Sequence, residues 1–154
     1  MQSYLRHIST APAIGIAGDI VHILADSAST GGAYVVVHTI CPPGGGPPPH
    51  THTREDELFF VIEGELTFML GDQQIKAGPG TLVYGKRGEK HTFRNATDKS
   101  ARFLITAVPA GIDAFFREVG TPLPTGCMTP IPPTPRDIDK LMQGCPKYGI
   151  TLHV

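Results

Sequence analysis

Eight short β-favouring runs recur between turn signals along residues 20 to 108: Ile20 to Ala25, Ala33 to Ile40, Leu58 to Ile62, Glu65 to Leu70, Gln73 to Lys76, Thr81 to Tyr84, His91 to Arg94 and Ala101 to Val108. Many short strands at close spacing argue an all-β sandwich or barrel of antiparallel sheets. Glu63-Gly64 and Gly71-Asp72 each place a glycine where positive φ costs little, between runs able to pair as hairpin strands. Residues 58 to 76 therefore read as a three-stranded meander. From Gly111 the period changes. Ile112, Phe115, Phe116 and Val119 share one helical face, and Gly120 can stop that helix. Thr121 to Pro135 holds six prolines and reads as an extended connector rather than a core element. Thr134, Pro135 and Asp137 form a capped start for a short helix to about Gln143, which Gly144 and Pro146 end. Ile150 to Val154 can add a terminal strand to a sheet edge. The reading is one domain over residues 1–154, with a barrel core over about 14–110 and a helical, proline-rich extension over about 111–154.

Composition narrows the partners. Lys and Arg number 13 against 14 Asp and Glu, a net charge of −1, which gives no electrostatic case for nucleic acid or a membrane surface. A small molecule is the expected partner. Cys41, Cys127 and Cys145 are odd in number and lack C-x-x-C spacing, so they read as reduced thiols. No apolar run follows the early positive charge, and Ile14 to Ala25 is interrupted by Asp19 and His22 and too short to span a bilayer. The expected location is cytoplasmic.

The chemistry concentrates after Cys41-Pro42-Pro43-Gly44-Gly45-Gly46-Pro47-Pro48-Pro49, a stretch unable to pair as a central strand, which leads into His50-Thr51-His52. On an extended backbone alternate residues share a face, so both imidazoles can meet one metal. Glu57 lies five residues after His52, the wrong parity for one unbroken strand, and a bend or bulge across Thr53 to Asp56 would restore it. His91 opens a later strand that a barrel can bring opposite the other three. Imidazole nitrogens with one carboxylate suit Fe, Mn, Co, Ni, Cu or Zn at about 2.0 to 2.2 Å, and do not suit Ca or Mg. Four protein ligands leave one or two positions open on a five- or six-coordinate ion. Phe59 and Val61 share the parity of Glu57, and Phe93 that of His91, so all three are candidate substrate-binding residues. Cys41 reads as a small buried apolar residue, and His7, His22, His38 and His153 as surface or hydrogen-bonded core histidines.

The pattern Gly44-(x5)-His50-x-His52-(x4)-Glu57-(x6)-Gly64 resembles the first motif of the cupin superfamily, and Gly80-(x10)-His91-(x3)-Asn95 resembles the second. Together they cover residues 44 to 95. Lys86 stands where the second motif usually has proline, a departure that concerns a turn and leaves the ligands untouched. The resemblance implies a double-stranded β-helix, the jelly-roll cupin barrel, with one divalent metal per chain inside it and a homodimeric assembly. The tail is similar to that of single-domain bacterial cupins labelled quercetin-dioxygenase-like, which favours a dioxygenase acting on a small enolic or aromatic, flavonol-like substrate. Glu57 would then be the catalytic base as well as a ligand. A metal-dependent isomerase or lyase, which polarises a carbonyl without oxygen, and a non-catalytic ligand-binding cupin remain as alternatives.

Overall fold

The computed structural model describes residues 1–154. Twelve strands build two antiparallel sheets: β1 (Ala13–Ile16), β2 (Asp19–Ala25), β3 (Val35–Cys41), β4 (His50–His52), β5 (Asp56–Glu63), β6 (Leu66–Leu70), β7 (Gln73–Ala77), β8 (Leu82–Gly85), β9 (His91–Arg94), β10 (Ala101–Val108), β11 (Thr121–Leu123) and β12 (Ile150–Leu152). One sheet has the order β11-β1-β2-β3-β10-β5-β8 and the other β12-β4-β9-β6-β7. This is the all-β jelly roll anticipated from the strand spacing. Three helices accompany it: α1 (Ser27–Thr30), α2 (Ile112–Val119) and α3 (Pro135–Gly144). None is long and apolar enough to cross a membrane.

The expected meander does not form. β5 pairs with β8 and β10 in one sheet, whereas β6 pairs with β7 and β9 in the other. Phe59 of β5 and Phe68 of β6 instead meet across the interior, ring against ring at 5.2 Å, from the two facing sheets. Gly64 makes the corner at φ 80°, where a Cβ would lie 2.9 Å from Ala101 Cα. Gly71-Asp72 does close a two-residue hairpin, with Leu70 opposite Gln73.

Alternation sorts the core. Val21, Val37, Phe59, Val61, Phe68, Phe93 and Phe103 are all buried between the sheets, and each large apolar side chain so placed contributes about 1.5–3 kcal/mol. Ile112, Phe115, Phe116 and Val119 bury the apolar face of α2 as their spacing predicts. Thr134 and Asp137 cap α3 reciprocally. The proline-rich stretch is more than a connector. Thr121 to Leu123 pair with β1, and Leu123 and Cys127 cover Ala13, Ile20 and Ile40.

Beneath that strap lie two buried histidines. Arg102 Nε donates to His38 Nε2 at 3.1 Å, so His38 Nδ1 carries the proton shared with His22 Nδ1 at 3.0 Å. His22 Nε2 then donates to the Cys127 carbonyl at 2.7 Å. Burial, with Arg102 and His22 beside it, pushes His38 down to about 4 and keeps it neutral. The hydrogen-bonded core reading of His22 and His38 therefore holds.

Candidate metal centre

The glycine- and proline-rich run delivers β4 to the site. Gly44 N donates to the Asn95 carbonyl at 2.8 Å and Asn95 N to the Gly45 carbonyl at 3.0 Å. Gly46 sits at φ 127° where a Cβ would clash with the Phe93 carbonyl at 2.1 Å, so the run can lie directly on the end of β9. β4 is then held between β12, with Ile150 opposite His52, and β9, with His50 opposite His91. Gly88 N, in the turn containing Lys86, donates to the His52 carbonyl at 2.7 Å.

Of the two expected answers to the parity of Glu57, the bend is the one that forms, at Thr53 and Arg54. The chain leaves one sheet after His52 and enters the other at Asp56, so His50, His52 and His91 come from the five-stranded wall and Glu57 from the seven-stranded wall. One metal-ligating atom from each of the four lies within 4.8 Å of the others, and all four residues are buried. His91 Nε2 is 2.9 Å and His52 Nε2 3.3 Å from Glu57 Oε2.

Each imidazole is oriented through its other nitrogen. Nδ1 of His50 donates to the Pro48 carbonyl at 2.8 Å, Nδ1 of His91 to the Glu89 carbonyl at 3.0 Å, and Nδ1 of His52 to Glu55 Oε1 at 2.5 Å. These partners fix the tautomer that leaves Nε2 as the lone-pair donor toward the cluster. Neighbouring donors on an ion with bonds of about 2.1 Å lie about 3 Å apart at right angles, which matches the separations from Glu57. Burial resists ionisation of Glu57, but His52, His91 and His50 around it outweigh that and hold its carboxyl down to about 2. Burial pushes His50 down to about 4. For His52, Glu57 and Glu55 overcome the effect of burial and raise it. An acceptor carboxylate facing three oriented imidazoles is the donor set a divalent transition metal requires.

His50, His52 and Glu57 line a cavity of about 90 Å³ whose wall is otherwise mostly apolar and includes Phe59, Phe93 and Ile105. Phe59 and Phe93 both face this cavity. Val61 is a correction: it shares the face of Phe59 but is wholly buried in the core and does not line the cavity. Cys41 is buried, as its small apolar character implies. Sequence reasoning missed Glu55, Asp19 and Thr39. Glu55 lies beside the ligands as one of three consecutive acidic-rich positions and carries no periodicity. Asp19 and Thr39 were legible as polar residues at inward parity in valine- and isoleucine-rich strands.

A double-stranded β-helix with three histidines and a glutamate gathered inside it is the class defined by this fold and cluster. A cupin domain model matches residues 37–107, the stretch that carries the four clustered residues and most of the barrel. It is 28% identical over 129 residues to a quercetin 2,3-dioxygenase of Bacillus subtilis (strain 168), covering 83% of this chain but 38% of that protein's length. It is 23% identical over 90 residues to an oxalate-binding protein of Thermotoga maritima, covering 58% of this chain and 74% of the relative. The structure of the polyketide cyclase RemF from Streptomyces resistomycificus aligns with a TM-score of 0.61 at 26% identity, over 70% of this chain and 80% of that one.

Proposed function

We propose that the protein is a metal-dependent dioxygenase acting on a small enolic or aromatic, flavonol-like substrate. The observation that carries this reading is the buried three-histidine, one-glutamate cluster on the wall of an aromatic-lined, mostly apolar cavity. A divalent ion held by His50, His52, Glu57 and His91 would supply Lewis acidity toward a substrate oxygen and access to redox chemistry. The protein supplies the rest. Phe59 and Phe93 provide flat apolar surface against which an aromatic ring can be oriented. Glu57 accepts the enolic or phenolic proton at a carboxylate oxygen, with His91 and His52 adjacent to stabilise its charge. The Nδ1 contacts to Pro48, Glu55 and Glu89 keep the imidazoles aimed while that proton moves.

The likeness to a polyketide cyclase favours a second reading, a non-oxidative cyclisation, isomerisation or lyase reaction at the same cluster. Oxygen uptake across a panel of flavonols and other enols, run beside anaerobic turnover, separates the two. Oxygen consumed in proportion to substrate lost supports the dioxygenase. Equal turnover without oxygen supports the alternative, and ligand-induced stabilisation without turnover indicates a binding protein.

A further inference from the structure

The cavity wall carries two polar groups that neither metal ligation nor proton transfer employs. Asp19, at the start of β2, is 6% exposed and Thr39, in β3, is 1% exposed, and both line the cavity. Asp19 Oδ1 and Thr39 Oγ1 are each buried without a hydrogen-bond partner. They are neighbours. Ile20 faces Ile40 and Val21 faces Thr39 across the β2–β3 ladder, so Asp19 and Thr39 are diagonal on its inner face, where one intervening group can reach both. A buried polar atom with no partner is destabilising, and two on one wall of a cavity are explained by a partner that arrives with the occupant.

Their position relative to the metal ligands sets the length of that occupant. Thr39 faces Phe103, and Phe103 faces Val61, four residues along β5 from Glu57 and two strands across. On an uncurved sheet that is roughly 13 Å along the strands and roughly 10 Å across them, which the curvature of the barrel shortens. The two polar groups and the metal ligands therefore address opposite ends of one molecule, with Val21, Ile105 and Phe59 among the apolar surface between.

We infer that Asp19 and Thr39 form a hydroxyl-recognising subsite for the end of the substrate remote from the metal ligands. This rests on the reading of the cavity as the substrate site. The substrate class is a flat, largely apolar molecule with a chelating oxygen pair at one end and a hydroxyl at the other. The hydroxyl donates to Asp19 Oδ1 and accepts from, or donates to, Thr39 Oγ1.

The test uses zinc-loaded protein, in which a redox-inert ion leaves binding separate from turnover. Calorimetric titration compares 3-hydroxyflavone with 3,4′-dihydroxyflavone, which differ by one hydroxyl remote from the chelating oxygens. The parent binds the dihydroxy compound about 10-fold more tightly or better, since a site built to pair a hydroxyl discriminates against its absence. In Thr39→Val and in Asp19→Ala the two affinities come together, while zinc content and affinity for 3-hydroxyflavone hold. Thr39→Val also raises the melting temperature of ligand-free protein, because an unpaired buried hydroxyl is removed at nearly constant volume. A lowered melting temperature would show that the hydroxyl already has a partner, such as a resident water, and would overturn the subsite. So would equal affinities in the parent, a preference surviving in both variants, or failure of zinc-loaded parent to bind either compound. Preserved discrimination without oxygen uptake by the iron- or manganese-loaded protein supports the subsite and removes only the dioxygenase reading.

Discussion

Glu55 accepts a hydrogen bond from Nδ1 of His52 at 2.5 Å, from within the short segment that carries the chain from one sheet to the other. Glu55 is 4% exposed, so the contact is shielded from water and the carboxylate sets both the tautomer and the basicity of the imidazole. Glu55→Gln keeps the shape but removes the charge. Metal affinity should fall by about 10- to 100-fold, the usual effect of losing such a partner. Competition with a chelator of known affinity measures it, and an unchanged constant would show that the Glu55–His52 pair serves folding alone.

Glu57 is asked to ligate the ion and to accept a proton. A carboxylate beside a divalent cation is a weak base, so both roles require it to loosen from the ion when substrate binds. Glu57→Gln leaves three histidines to hold the ion. With excess metal the variant should regain most of its metal yet lose turnover by about 10²-fold or more, the scale of a general base. Metal content and oxygen uptake are read on the same sample at saturating substrate. Near-normal turnover leaves Glu57 as a ligand only.

The sequence made the ligands legible because His-x-His fixes a shared face whatever strand it lies on, and because His91 opens a β run of its own. That the chain must bend before Glu57 was legible from its parity, but not that the bend carries it to the other sheet. Parity arguments assume a continuous strand, whereas residues 53–55 take the chain to the facing sheet. β6 was misplaced because a glycine between two apolar runs reads equally as a hairpin or as a corner, and the partners that decide, β10 and β8 for β5 and β9 for β6, lie far along the chain. α2 and α3 were readable because their apolar spacing and caps lie within the helix itself. Thr121 to Leu123 were not, because a three-residue edge strand is stabilised by its partner β1 and not by its own pattern.

Asp19 gives stability a pH dependence. Burial raises its carboxyl from 3.8 to about 7 against a smaller opposing effect of Cys41. Between those values the folded chain binds more protons than the unfolded one, so this residue's contribution falls as pH rises from about 4 through 7. Asp19→Asn removes a group that must ionise. Its stability relative to the parent should therefore rise across that window, which urea unfolding at pH 5 and 7.5 reads directly. Parallel pH curves for the two proteins would contradict the assignment.

We propose that the chain forms homodimers through the outer face of β5 and β8. Phe60, Ile62, Leu82 and Tyr84 are exposed there, Phe60 faces Leu82, and β8 is the edge of its sheet. An apolar face beside an open edge suits a self-complementary two-fold contact. Sedimentation should give a dimer for the parent and a folded monomer for Phe60→Glu/Leu82→Glu. A dimeric variant would place the contact elsewhere.

The central claim is that His50, His52, Glu57 and His91 hold one divalent transition-metal ion. Elemental analysis of purified parent and His50→Ala/His52→Ala protein, each after equilibration with the same metal and gel filtration, tests it most directly. The account predicts about one ion per chain in the parent and a small fraction of that in the variant, since two of four ligands are gone. Equal metal content in the two proteins would contradict it.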